Sequence, residues 1–141
     1  MIIHLPQPVV RLFSEEALKA VPEEACGLLL GYRDDKKIII QGCCFTDNVA
    51  TEGRTHTFEV DPTVHLKLQR EARRNGPQVI GVWHSHPNGE ARLSKTDKAL
   101  SIETGWLWVV TAFQNNTVDH SAYVCNDRDS HVFHDAKILL T

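Results

Sequence analysis

The chain has 141 residues, 42% of them hydrophobic, which suits one globular domain with its own core and is too short for several. Fifteen Lys and Arg against 18 Asp and Glu give a net charge of −3, with basic residues single or paired as in Arg73-Arg74, so the electrostatic footprint of a nucleic-acid or anionic-membrane binder is excluded. No stretch approaches the roughly 18 apolar residues of a membrane span, and the N-terminus has no basic region ahead of an apolar core, so a cytoplasmic protein is expected. The four cysteines, Cys26, Cys43, Cys44 and Cys125, show no C-x-x-C spacing and read as reduced, mostly buried small hydrophobes.

Taken in chain order, Pro8 to Ala20 places Val9, Leu12, Phe13, Ala17 and Leu18 near helical spacing and predicts a first helix. "ACGLLLGY" and "IIIQGCCFT" flank the polar turn "RDDKK" and read as a hairpin of two strands. "TFEV" reads as a short strand. Asp61-Pro62 then offers an N-cap followed by Pro in the first turn of a second helix, "TVHLKLQREARRNG", closed by Asn75-Gly76. "QVIGVWHSH" is an apolar strand, "SKTDKALSIETG" a third helix, "WLWVVTAF" and "SAYVCN" two strands around the turn "QNNTVDH", and "HVFHDAKILL" a final strand or short helix. Strands outnumber helices without strict alternation, which predicts an α+β or mixed α/β sheet with helices packed against it, in a single domain over 1–141.

The chemistry gathers in "GVWHSHPNGEARLSKTD", Gly81 to Asp97. In a strand, residues i and i+2 share a face, so His84 and His86 project together with Ser85 opposite, a workable spacing for two imidazoles on one metal ion. Taken alone, two histidines near a strand end read as solvated or hydrogen-bonded groups. Ser94 and Asp97 likewise read as an N-cap and a first-turn carboxylate. Together, however, His84, His86 and Asp97 form a three-ligand set that leaves a fourth position for water, the pattern of catalytic zinc. Water attack also needs a base, for which Glu24 in "PEEACGLLLG" is the candidate; its bland reading is a solvated turn residue. The remaining histidines lack convergent spacing and read as surface or structural groups. Trp83, next to His84, is a candidate back wall for the site.

Glu24-Ala25-Cys26-Gly27 leading into "LLLG", then His84-Ser85-His86-Pro87, six residues, and Ser94-x-x-Asp97 resembles the JAMM (MPN-plus, Mov34) family of zinc metallopeptidases, in its short prokaryotic form, over roughly the first 125 residues. The resemblance implies a central curved, mostly antiparallel sheet with about three helices packed on it, the cytidine-deaminase-like domain of that family. It also implies Zn²⁺ on His84, His86 and Asp97, Glu24 as the group that takes a proton from water and passes it to the leaving amine, and Ser94 as hydrogen-bond donor to the developing oxyanion. One departure is Leu93, where many bacterial members have proline before the motif serine.

The implied reaction is hydrolysis of a peptide or isopeptide bond after the Gly-Gly tail of a ubiquitin-like, sulfur-carrier protein, the tail lying extended along a sheet edge for which Thr55 to Phe58 is the candidate. The alternative is a zinc-containing, non-catalytic binding module for a ubiquitin-like partner. A zinc deaminase is disfavoured because neither H-x-E nor P-C-x-x-C occurs. The oligomeric state is left open by the sequence.

Overall fold

The computed structural model describes residues 1–100, 105–114, 116–126, 129 and 131–141. Strand β1 (Ile2–Leu5) is followed by helix α1 (Gln7–Ala20), the hairpin β2 (Cys26–Arg33) and β3 (Lys37–Thr46), helix α2 (Pro62–Ala72), β4 (Gln78–His86), the short helix α3 (Lys95–Leu100), and strands β5 (Leu107–Gln114), β6 (Thr117–Cys125) and β7 (Phe133–Leu140). The carboxylate of Asp34 caps the β2–β3 turn by accepting from the N–H groups of Lys36 and Lys37 at 2.8 and 2.9 Å. Asp61 accepts from the Thr63 N–H at 2.9 Å, the N-cap that its place before Pro62 predicts. The chain leaves α2 through Asn75, at φ 70°, and the Gly76 N–H bonds back to the Glu71 carbonyl.

The sheet closes into a barrel in the order β1-β3-β2-β4-β5-β6-β7, with β1 parallel to both β3 and β7. This corrects the expected fold class, a central curved, mostly antiparallel sheet with about three helices packed on it. The physical reason lies at the N-terminus: "IIHL" precedes Pro6 and is too short to declare a period, yet its backbone bonds both outer strands and removes both edges. The pairing is also less uniformly antiparallel than expected, since β1–β3, β1–β7 and β4–β5 are parallel.

The helices contribute unequally. Val9, Phe13 and Ala17 of α1 join one core cluster with Ile3 and Leu5 of β1, Leu29 of β2, Ile38 and Ile40 of β3, Trp83 of β4, Leu107 and Val109 of β5 and Ala122 of β6, so α1 packs on the side the barrel encloses. By contrast, α2 has no buried residue, and α3 is six residues long. The expected continuation of the third helix to Gly105 falls on 101–104, outside the described residues. "TFEV" is not a strand either; it contributes the isolated bridge between Asn48 and Val60. β6 begins at Thr117, so the β5–β6 turn is tighter than "QNNTVDH", and Asn116 takes φ 66° there.

No disulfide joins the four cysteines, all of which are described. Among the described residues no helix is long and apolar enough to cross a membrane.

Candidate active site

β4 is buried on both faces from Ile80 to Ser85, and its alternation sorts two kinds of side chain. Trp83 points to the enclosed side, stacked on Phe13 with centroids 4.9 Å apart and donating from its indole N–H to Thr111 Oγ1 at 2.9 Å. It is therefore not the back wall of the histidine site. That wall is made by Phe58, stacked on His84 at 4.5 Å, and Trp108, edge-on at 5.7 Å. His84 and His86 share the outer face, as period-2 geometry requires.

The register of β2 against β4 brings in the distant carboxyl. Cys26 pairs with His84, and the Ser85 N–H continues the ladder to the Ala25 carbonyl at 3.0 Å, which sets Glu24 across from His86 on the same face. The loop after β4 brings in the other carboxylate. It is pinned by His86 Nδ1 on the Glu90 carbonyl at 2.8 Å, by Tyr123 Oη donating to the Ala91 carbonyl at 2.9 Å, and by Leu93 packed between two apolar clusters. At the start of α3 the Asp97 N–H donates to Ser94 Oγ at 3.0 Å, while the Ser94 N–H donates to Asp97 Oδ2 at 2.9 Å, a reciprocal capping box. Cap and ligand are thus not competing roles for Asp97, because the same Oδ2 also faces both imidazoles.

The result is a cluster of Glu24, His84, His86 and Asp97 whose ligand-type atoms all lie within 4.8 Å of one another. His84 Nε2 and His86 Nε2 are 3.0 Å apart, and Asp97 Oδ2 stands 3.1 and 3.0 Å from them. Ligands on a tetrahedral zinc with bonds of about 2.0–2.1 Å are separated by about 3.3 Å, so three of these atoms already form one face of such a site to within a few tenths of an ångström. The bond to a carbonyl requires His86 Nδ1 to carry the hydrogen in the neutral ring, which leaves the Nε2 lone pair facing the cluster. Glu24 Oε1, Asp97 Oδ1 and His84 Nδ1 are buried without a hydrogen-bond partner, at a cost of about 1–3 kcal/mol for each unsatisfied group. Two imidazoles and a carboxylate with converging lone pairs form a donor set that fits Zn²⁺.

Electrostatics separates the two carboxyls. Burial pushes Glu24, only 4% exposed, up to about 8 against the opposing pull of His86, and nearby Asp97 adds to the rise. Burial also works against ionised Asp97, but His84, His86 and the Ser94 N–H outweigh it and hold that carboxyl well below the usual range. Burial lowers His84. His86 is raised, since its hydrogen bonds to Asp97 and the Glu90 carbonyl overcome desolvation. Two carboxyls in one cluster thus differ sharply, one ionised and ligand-like, the other poised to hold or release a proton near neutrality.

Of the site residues expected from the sequence, Glu24, His84, His86 and Asp97 converge, and Ser94 sits beside them, bonded to Asp97. Thr55 to Phe58 does not form a strand edge, though Phe58 supplies the wall of the His84 site. Asn48 and Ser85 join the site without being among the residues expected there. The Asn48 Nδ2 donates to the Glu24 carbonyl at 3.0 Å, and Ser85 Oγ accepts from the Ala25 N–H at 2.8 Å. The sequence signal for Ser85 is its place between the histidines; a lone Asn in a polar loop gives none. Two depressions flank the cluster. A polar cleft of about 500 Å³ opens on Glu24, lined also by Glu23, Asp47, Asn48 and Arg54, and an apolar pocket of about 330 Å³ runs from Phe58 and Trp108 to His65 on α2.

Comparison with known proteins bears on this arrangement. The family described as prokaryotic homologs of the JAB domain matches residues 6–125. The chain is 26% identical over 99 residues to the desampylase of Haloferax volcanii, a match that spans 70% of this chain and 69% of that protein. It is 27% identical over 97 residues to a probable TtuB-protein conjugate cleaving protease of Thermus thermophilus, spanning 69% of this chain and 62% of the relative. Among solved structures, a Desulfitobacterium hafniense protein superposes with a TM-score of 0.83 at 25% identity, covering 100% of this chain and 93% of the other. A Salinibacter ruber protein gives 0.68 at 27% identity, covering 98% and 90%.

Proposed function

Because the chain belongs to the family of prokaryotic homologues of the JAB domain, we propose that it is a zinc-dependent isopeptidase that hydrolyses the bond after the Gly-Gly tail of a ubiquitin-like, sulfur-carrier protein. One observation carries the reading: three ligand atoms about 3 Å apart stand beside a second, buried carboxyl, that of Glu24. The names of the two relatives, a desampylase and a conjugate-cleaving protease, support the substrate class.

His84, His86 and Asp97 would hold the ion, which when bound would supply Lewis-acid activation of water and polarisation of the scissile carbonyl. Glu24 takes a proton from the attacking water and later delivers it to the departing amine, a shuttle for which a carboxyl titrating near neutrality is suited. Ser94 Oγ already accepts from the Asp97 N–H, which leaves the hydroxyl hydrogen to donate to the oxygen that gains charge. Phe58 and Trp108 exclude water from His84 and keep the field between these groups strong. The polar cleft on Glu24 receives the tail, whose glycines suit close passage between backbone and carboxyl.

The test is cleavage of an isopeptide-linked conjugate of a Gly-Gly-terminated carrier by the zinc-loaded protein, beside Glu24→Gln. The reading expects turnover in the former and a loss of about 10²–10⁴-fold in the latter with zinc retained. Equal turnover in both would remove Glu24 from the chemistry; binding of the carrier without turnover in either would leave a recognition module.

A further inference from the structure

We infer that Asn48 is a positioning residue for this reaction, holding the Glu24 carboxyl at the ligand cluster through the Glu24 backbone; the inference rests on the reading of Glu24 as proton carrier. Glu24 lies two residues before β2 begins and one beyond Ala25, where the bonding to β4 ends. Its backbone is tied instead to the segment after β3. The Glu24 N–H donates to the Arg54 carbonyl at 2.7 Å, and the Glu24 carbonyl accepts from Asn48 Nδ2 at 3.0 Å. The same Nδ2 donates to the Thr57 carbonyl at 3.0 Å, while Asn48 Oδ1 accepts from the Ala50 N–H at 3.2 Å and the Glu59 N–H at 3.1 Å.

Both donors and both acceptor sites of the amide are therefore used, each on a different backbone group. One planar side chain joins the Glu24 turn to the stretch that carries Phe58, the ring stacked on His84. No other residue type offers this combination at this length: Asp has no donors, Gln is one methylene longer, and Ser lacks the fork. Because a displacement of about 1 Å between a catalytic group and its partner costs on the order of 10² in rate, a junction fixing Glu24 relative to its own cluster acts on turnover rather than on binding.

Asn48→Asp separates positioning from folding, since it keeps both accepted bonds and loses both donated ones; Asn48→Ala, which loses all four, is the variant at risk of misfolding. In Asn48→Asp the expected results are zinc content as in the wild type, KM within about twofold and kcat lower by about 10–100-fold. In the Glu24→Gln background the same substitution should change residual turnover by less than about twofold, because the two residues act as one unit. Hydrogen exchange gives a readout independent of turnover: the Glu24 and Ala25 amides should exchange about tenfold faster in Asn48→Asp while those of 82–84 stay unchanged.

Unchanged exchange at Glu24 overturns the inference whatever the activity. So does unchanged kcat, or a loss that multiplies fully with that of Glu24→Gln. A wild-type protein that cleaves no conjugate, or a Glu24→Gln variant as active as wild type, defeats the proton-carrier reading instead, and the exchange result then decides alone whether Asn48 fixes this turn.

Discussion

On its enclosed face β4 sets Trp83 and Ser85 among apolar residues and a closed set of hydrogen bonds, with Trp83 Nε1 on Thr111 and Ser85 Oγ on the Ala25 N–H. On its outer face the same strand sets His84 and His86 among Phe58, Trp108, Glu24 and Asp97, where three buried polar atoms have no protein partner. From Ile80 to Ser85 both faces are buried, and only His86 at the strand end is partly exposed, so burial alone does not distinguish them. Satisfaction does: the inner face is packed for stability, whereas the outer face keeps two carboxyl oxygens, Glu24 Oε1 and Asp97 Oδ1, uncompensated in the cluster that a bound cation would occupy.

Substitutions on the two faces should therefore divide between stability and chemistry. The largest stability effect belongs to Trp83→Ala, which removes a fully buried indole stacked on Phe13; about 3–5 kcal/mol should be lost by denaturant unfolding, while zinc uptake by the folded fraction remains. Loss of metal affinity at unchanged stability would break the division. Ser85→Ala, also on the inner face, should cost about 1–3 kcal/mol by stranding the buried Ala25 N–H, and should lower turnover as well because Glu24 is the next residue. Ser94→Ala, at the outer site, should cost only about 1 kcal/mol as a lost cap, yet reduce kcat by about 10²-fold.

The subtlest test is pH dependence in the metal-stripped protein. Glu24 is raised from about 4.5 to about 8 by burial, so it favours the folded state while protonated, and stability should decline as pH rises from about 4.5 to about 8. Asp97 is depressed, so its contribution is present above its ordinary range and is lost as pH falls below it. Glu24→Gln should flatten the alkaline decline and leave the acid limb in place, as followed by thermal melts of chelated protein. An unchanged alkaline limb in that variant would assign the decline to another group.

What was legible in the sequence follows from locality. His84, His86 and Asp97 lie within 14 residues on a strand, a loop and a capped helix start, and each element has its own local signal. Glu24 is brought in by the β2–β4 register, a non-local pairing, so from residues alone it was a weak candidate and gained force from the family resemblance. β1 was missed for the same physical reason: four residues show no period, and their partners are β3 and β7. Without β1 the strands read as a curved sheet and not as a closed barrel. The substrate edge expected at Thr55 to Phe58 came from the family's layout; the backbone of that stretch serves instead as a partner for Asn48. Side-chain junctions such as Asn48 leave no periodic trace, because their meaning lies in backbone groups far along the chain.

The central claim is that the outer face of β4 is a metal centre, and metal content per chain tests it most directly. Elemental analysis of protein purified without added metal, and again after reconstitution with Zn²⁺ and desalting, should give about one zinc in the wild type and in Glu24→Gln, and none in His84→Ala. Zinc absent from the wild type after reconstitution, or retained in folded His84→Ala, would contradict the account.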